Sequence, residues 1–178
     1  QLPIGTESEF AGIVDLIDMK AYVWDLEANK GDEFRTEEIP ANMLDEAKAK
    51  RAEMIEKLAD VDDSIMELFM EEKEPSTEQI ISAIRKGTVN FTVVPVIMGS
   101  AFKNKGVQQM LDAVTRYLPS PLDIGSIKGF KQGDSSVEIE RAPADTEPFS
   151  ALAFKIMSDP HLGKLTYIRI YSGKLEPG

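Results

Sequence analysis

Few residues in this chain have a type and spacing suited to side-chain chemistry. Cysteine is absent and histidine occurs once. Thiolate nucleophiles, disulfides and multi-histidine metal sites are therefore excluded by composition. His161 stands in the turn sequence Ser158-Asp159-Pro160-His161-Leu162-Gly163 with no second histidine beside it, and it reads as a surface turn residue. The pair Asp62-Asp63 matches a general acid/base pair in composition only. Adjacent helix positions point apart, and acids ahead of Ile65 suit the positive end of a helix dipole. No residue is assigned a catalytic role and none a metal-ligand role. What remains is backbone chemistry. Gly99-Ser100-Ala101-Phe102 follows the apolar run Thr92–Met98 and precedes a helical pattern opening at Gly106. Strand, tight loop, helix is the arrangement that presents backbone N–H groups at the carboxyl end of a sheet. Small side chains suit such a loop, because a ligand must approach the main chain.

The elements that would position this loop are read from periodicity. Residues 11–24 give two short strands, Ile13 to Ile17 and Ala21 to Trp24, with a turn at Asp18-Met19-Lys20. A third strand is expected at Glu33–Glu38, after the turn signal Asn29–Asp32. From Ala41 the period becomes 3.6, with Met43, Leu44, Ala47, Arg51, Met54, Ile55 and Leu58 on one helix face ending near Ala59. Asp62-Asp63-Ser64 starts a second helix that Pro75 stops. Ser76 and Gln79 have capping-box spacing for a third, with Gly87 as its stop signal. Residues 92–98 read as a strand buried on both faces; left unpaired, it would be an association hazard. A helix follows with Val107, Met110, Leu111, Val114 and Leu118 inward, ended by Pro119-Ser120-Pro121. Residues 123–146 read as a linker with short strands. Phe149–Met157 and Leu165–Tyr171 then alternate as a hairpin, with Ala151, Ala153 and Lys155 on one face and Leu152, Phe154 and Ile156 on the other.

Hydrophobic content of 42% in 178 residues suffices for a packed core. Apolar runs are too short to span a membrane, and the amino-terminal residues show no signal-peptide pattern. The absence of cysteine fits a reducing cytosol. The net charge of −11 is uneven: residues 37–78 carry 14 acids and 5 bases, whereas residues 79–178 carry 9 acids and 12 bases. The acidic part repels nucleic-acid phosphates and suits water or a basic protein.

The longer string Gly99-Ser100-Ala101-Phe102-Lys103-Asn104-Lys105-Gly106-Val107-Gln108 carries more information than its first residues. With Met110–Val114, Tyr117–Pro121, the early Gln1–Gly5 and the late Glu147–Ile156, it resembles the elongation factor G family of ribosomal translocase GTPases. The resemblance implies an α+β fold in which residues 1–91 form a small acidic sheet-plus-helices subdomain inserted in an α/β nucleotide domain. Residues 92–122 would be that domain's last strand, guanine loop and helix, residues 123–146 a linker, and residues 147–178 the first hairpin of a β-barrel second domain. It assigns Ser100, Ala101 and Phe102 to the loop that donates backbone hydrogen bonds to guanine. It also assigns Asp45 and Glu56 to a surface that meets the basic C-terminal domain of the ribosomal stalk protein, with Ala49 standing where the family has a third carboxylate.

GTP or GDP with magnesium would belong to a larger parent. Neither a Gly-x-x-x-x-Gly-Lys-Ser/Thr loop, an Asp-x-x-Gly nor an Asn-Lys-x-Asp motif is present in these residues, and Asn104-Lys105-Gly106-Val107 only imitates the last. The chain is thus expected to be an internal segment that takes no cofactor and is inactive alone. Its implied partners are the ribosome and its stalk, with ribosomal RNA reached through the second domain. Membrane and DNA are not among them, and the location is cytoplasmic. Two alternatives stand beside this reading: a paralogue that recycles ribosomes or confers resistance, and a stand-alone acidic protein-binding module.

Overall fold

The computed structural model describes residues 1–25, 33–131 and 133–177; the turn signal Asn29–Asp32 lies outside the described residues. The fold is α+β, and it divides into two units, Gln1–Leu118 and Pro119–Gly178.

The first unit opens with an antiparallel sheet in chain order, β1 (Leu2–Ile4), β2 (Gly12–Asp15), β3 (Lys20–Val23) and β4 (Arg35–Glu37). Its register pairs Leu2 with Val14, Ile13 with Tyr22 and Val23 with Arg35. β1 is an addition to the sequence reading: three residues are too few to show alternation, and Pro3 is tolerated because β1 is an edge strand. β2 is shorter than expected. Asp15 Oδ1 accepts the N–H groups of Ile17 at 2.8 Å and Asp18 at 3.1 Å, and this side-chain turn removes Leu16 and Ile17 from the ladder.

Helix α1 (Leu44–Ala59) lies between the sheet and the other helices. Ala47 packs with Val14 and Leu16. Ile55 and Leu58 join a cluster with Ile65 of α2 (Asp63–Met70), Ile80 and Ile84 of α3 (Thr77–Val89), and Ala113 and Tyr117 of α4 (Val107–Tyr117). Arg51 lies on the expected inward face, where its Nη1 donates to the Leu16 and Ile17 carbonyls at 2.7 and 2.6 Å and fastens the β2–β3 turn to α1. Asp62 caps α2 by accepting from the Ser64 N–H at 3.0 Å. That helix ends at Met70 rather than at Pro75. Glu72 adopts a left-handed φ of 55°, and the Lys73 N–H returns to Leu68 O at 2.9 Å, a Schellman closure. The capping box on α3 forms as its spacing predicts, with Gln79 N–H donating to Ser76 Oγ and Ser76 N–H to Gln79 Oε1. Gly87 does not stop α3. A Cβ there would lie 2.7 Å from Val93 Cγ2, so the glycine admits the chain that follows the helix.

Two expectations are corrected between residues 92 and 118. Residues 93–99 form no strand. Val93, Pro95 and Ile97 turn toward the core, whereas Val94 is 82% and Val96 66% exposed, so the segment is packed on one face only. α4 buries Ala113 and Tyr117, and leaves Met110, Leu111, Val114 and Leu118 about half exposed. The apolar stripe exists, but among the described residues nothing covers it.

In the second unit, Ser120 and Asp123 form a capping box that opens a short helix, α5 (Pro121–Ile124). The stretch 123–146 carries a hairpin, β5 (Ile127–Lys131) with β6 (Asp134–Arg141). A second hairpin pairs β7 (Ser150–Asp159) with β8 (Gly163–Ser172). A register shift between Ala153 and Lys155 breaks the simple alternation expected across Phe154. The Ser172 hydroxyl donates to Pro148 O and meets Ser150 Oγ, both at 2.7 Å. The sheets of this unit are two-stranded, with no closed barrel among the described residues.

Candidate functional site

The loop between Met98 and α4 closes on itself. Ser100 N–H donates to Lys105 O at 2.9 Å and Lys105 N–H to Ser100 O at 3.0 Å, one antiparallel bridge spanning four residues. Inside it, Asn104 takes a left-handed φ of 55° and its N–H reaches Ala101 O at 3.2 Å. Gly106 then opens α4 with φ +78°, and a Cβ there would stand 2.7 Å from Met98 O. Only glycine meets both demands without strain. None of these bonds uses the N–H of Ala101 or Phe102. Ala101 is exposed and Phe102 fully so, while Ser100 is half-buried at the root. The three residues singled out from sequence therefore share one loop, with Ser100 in its closing bridge and Ala101 and Phe102 at its exposed tip.

The loop is anchored from the sheet side. Lys103 Nζ donates to Ser8 O at 3.2 Å and Lys105 Nζ to Phe10 O at 2.9 Å. Lys105 is 4% exposed. Burial, with the Lys103 charge nearby, lowers its ammonium pKa below the ordinary lysine value. At the other end the Met98 N–H donates to Gln1 Oε1 at 3.0 Å. Sequence reasoning missed both lysine anchors: two lysines in a polar loop read as solvated, and only the fold brings the residue 7–10 turn to them.

Asp45 and Glu56 lie on α1, away from this loop. Eleven residues of α-helix make about three turns, so the two carboxylates fall on one stripe with the exposed Ala49 and Ala52 between them. On a neighbouring stripe Lys50 and Glu53 pair at 2.8 Å, and the Lys50 hydrogen bond lowers the Glu53 pKa. No hydrogen bond or ion pair joins the α1 stripe to the Gly99–Lys105 loop among the described residues. The two candidates are separate sites.

A third feature had no sequence signal. A cavity of about 340 Å³ opens between the β2–β3 turn, α1, α4 and residues 93–97, with Asp15, Asp18, Tyr22, Gln109 and Arg116 among its polar lining. Burial, with Asp18 and Asp15 adding, pushes the Tyr22 phenol up to about 12, and its O–H donates to Asp18 Oδ2 at 3.2 Å. Burial also raises Tyr117. Both shifts favour the neutral phenol at ordinary pH. His161 remains a turn residue, with Asp159 Oδ1 accepting its backbone N–H at 2.8 Å. No grouping of three or more metal-ligating side chains occurs among the described residues, and no helix among them is long and apolar enough to cross a membrane.

No protein-family model matches the chain. A crystal structure of a protein from Thermus thermophilus is similar over 99% of this chain, with a TM-score of 0.71 and 26% sequence identity. The chain spans 23% of the length of that protein.

Proposed function

We propose that this chain is part of a translational GTPase of the elongation factor G kind, working in the cytoplasm, in which GTP hydrolysis drives movement of transfer and messenger RNA through the ribosome. The observation that carries the reading is the Gly99–Lys105 loop: its self-closing bonds use neither the Ala101 nor the Phe102 N–H, and both residues are exposed, which suits backbone recognition of a guanine carbonyl. The bare Val94 and Val96 side and the half-exposed stripe of α4 support it further, since both suit elements that pack on a larger sheet. In this reading Asp45 and Glu56 meet the basic stalk domain, and ribosomal RNA lies against the second unit.

The residues present fit only the base end of a guanine nucleotide. The motifs for phosphate and magnesium are absent from the sequence, so no step of hydrolysis is assigned to this chain. A ribosome-recycling or resistance paralogue is the alternative within the same family. A stand-alone module that binds a basic protein is the second reading, favoured by the exposed carboxylate stripe on α1.

The test is an NMR titration of the labelled chain with GDP and, separately, with ADP at high concentration. Weak shifts confined to Gly99–Lys105 and specific to GDP support the guanine-loop reading. No response at Ala101 and Phe102, or an equal response to ADP, contradicts it. Tight, low-micromolar GDP binding contradicts the view that the missing phosphate motifs are needed.

A further inference from the structure

We infer that Lys105 is the positioning residue of the Gly99–Lys105 loop: its buried ammonium latches the loop to the turn at residues 7–10, so that the loop tip and the β1–β2 connection move as one body. Lys105 contributes to the loop twice. Its main chain makes both bonds of the bridge to Ser100, at 2.9 and 3.0 Å, and its side chain leaves the loop to donate to Phe10 O at 2.9 Å. Phe10 is fixed in turn, because the next residue, Ala11, is held at both ends: its N–H donates to Ile4 O and its carbonyl accepts from Trp24 N–H, both at 2.8 Å. The path from loop tip to sheet is thus continuous: Ser100, Lys105, Phe10, Ala11, and then the β1 and β3 ends.

Lys105 is 4% exposed and its ammonium is held by a carbonyl, and a charge in such a place is costly to leave without its partner. That cost makes the latch two-state: the ammonium is either seated on Phe10 O or the loop has opened to water. Lys103, which makes a longer bond to Ser8 O from an exposed position, reinforces the latch without setting it. The loop has no apolar side chain buried in its tip, since Ala101 and Phe102 are exposed, so packing does not hold it there. A consequence is reciprocity. Whatever orders the loop tip stabilises the residue 7–10 turn, and whatever pulls that turn away loosens the tip. This holds for any ligand the loop takes, so it stands or falls apart from the guanine reading.

The test uses the 178-residue chain. In the wild type, a through-hydrogen-bond NMR coupling is expected between Lys105 Nζ and the Phe10 carbonyl carbon, with slow exchange of the ammonium protons. Lys105→Met should speed amide exchange at Ser100 and Lys105 at least about tenfold, as loss of a charged hydrogen bond implies. The amide of Ile80, in the core, should keep its protection. Lys105→Arg should restore most of the loss, and Lys103→Met should have a smaller effect. Absence of the coupling together with fast ammonium exchange would overturn the latch even if Lys105→Met failed to fold. So would unchanged loop exchange in Lys105→Met, or an equal effect in Lys103→Met.

Discussion

In the proposed reading, the Gly99–Lys105 loop and the exposed stripe of α1 present opposite kinds of recognition. The loop offers main-chain donors, held by two backbone bonds, a left-handed glycine and a buried lysine. The stripe offers carboxylates on long-range charge, carried by a helix whose opposite face packs against the sheet and against α2 and α3. Recognition by the loop then depends on main-chain geometry, which the Lys105 ammonium helps to hold. In the same reading the stripe depends on charge and tolerates small changes of geometry. Contacts of the second kind mainly raise association rates and are screened by salt; backbone donation is not.

Breaking the frame that both sites share gives the largest expected effect. Ile80 is fully buried in the cluster joining α1 to α4. Ile80→Ala should cost about 2–5 kcal/mol, read by urea unfolding, and disturb both sites together. Gly106→Ala separates them. The left-handed φ and the approach to Met98 O put its cost at about 1–3 kcal/mol, and exchange at Ser100 and Lys105 should rise while the amides of α1 keep their protection. A uniform rise would contradict the separation.

A smaller effect comes from pH. Hydrogen bonds from the Ser64 hydroxyl and then Lys86 hold the Asp62 carboxyl below the ordinary aspartate range. A carboxylate whose folded pKa is depressed stabilises the fold above its unfolded pKa and loses that contribution as pH falls through the folded value. Stability should thus decline below about pH 4, and Asp62→Asn should remove part of that decline.

The contrast between the sites also marks what the sequence makes legible. Periodicity and capping residues suffice for α1 and for the starts of α2 and α3, because local chemistry decides them: Asp62 and the Ser76–Gln79 box act within one turn. The β7–β8 hairpin is legible for the same reason. Long-range events are not. Gly87 looks like a helix stop until Val93 is seen packed on it. Residues 93–99 have the composition of a buried strand, yet strand pairing needs a neighbour that the described residues do not supply. The apolar stripe of α4 reads as core from its spacing, but spacing does not say what covers it. For the loop, the residue types at 99–102 mark the place, and the lysines that hold it become meaningful only when the sheet brings Ser8 and Phe10 to them.

The smallest effect on stability carries the sharpest functional contrast. Asp45→Lys with Glu56→Lys changes only exposed positions and should alter stability by less than about 0.5 kcal/mol per site, while weakening attraction for a basic protein. The most direct test of the account is an NMR titration of the labelled chain with the basic C-terminal domain of the ribosomal stalk protein, at low and at high salt. The account predicts shifts clustered on residues 41–60 that fade as salt rises and weaken in the double lysine variant, with the Gly99–Lys105 loop unmoved. Shifts that survive high salt, that map to the loop, or that fail to occur would contradict it.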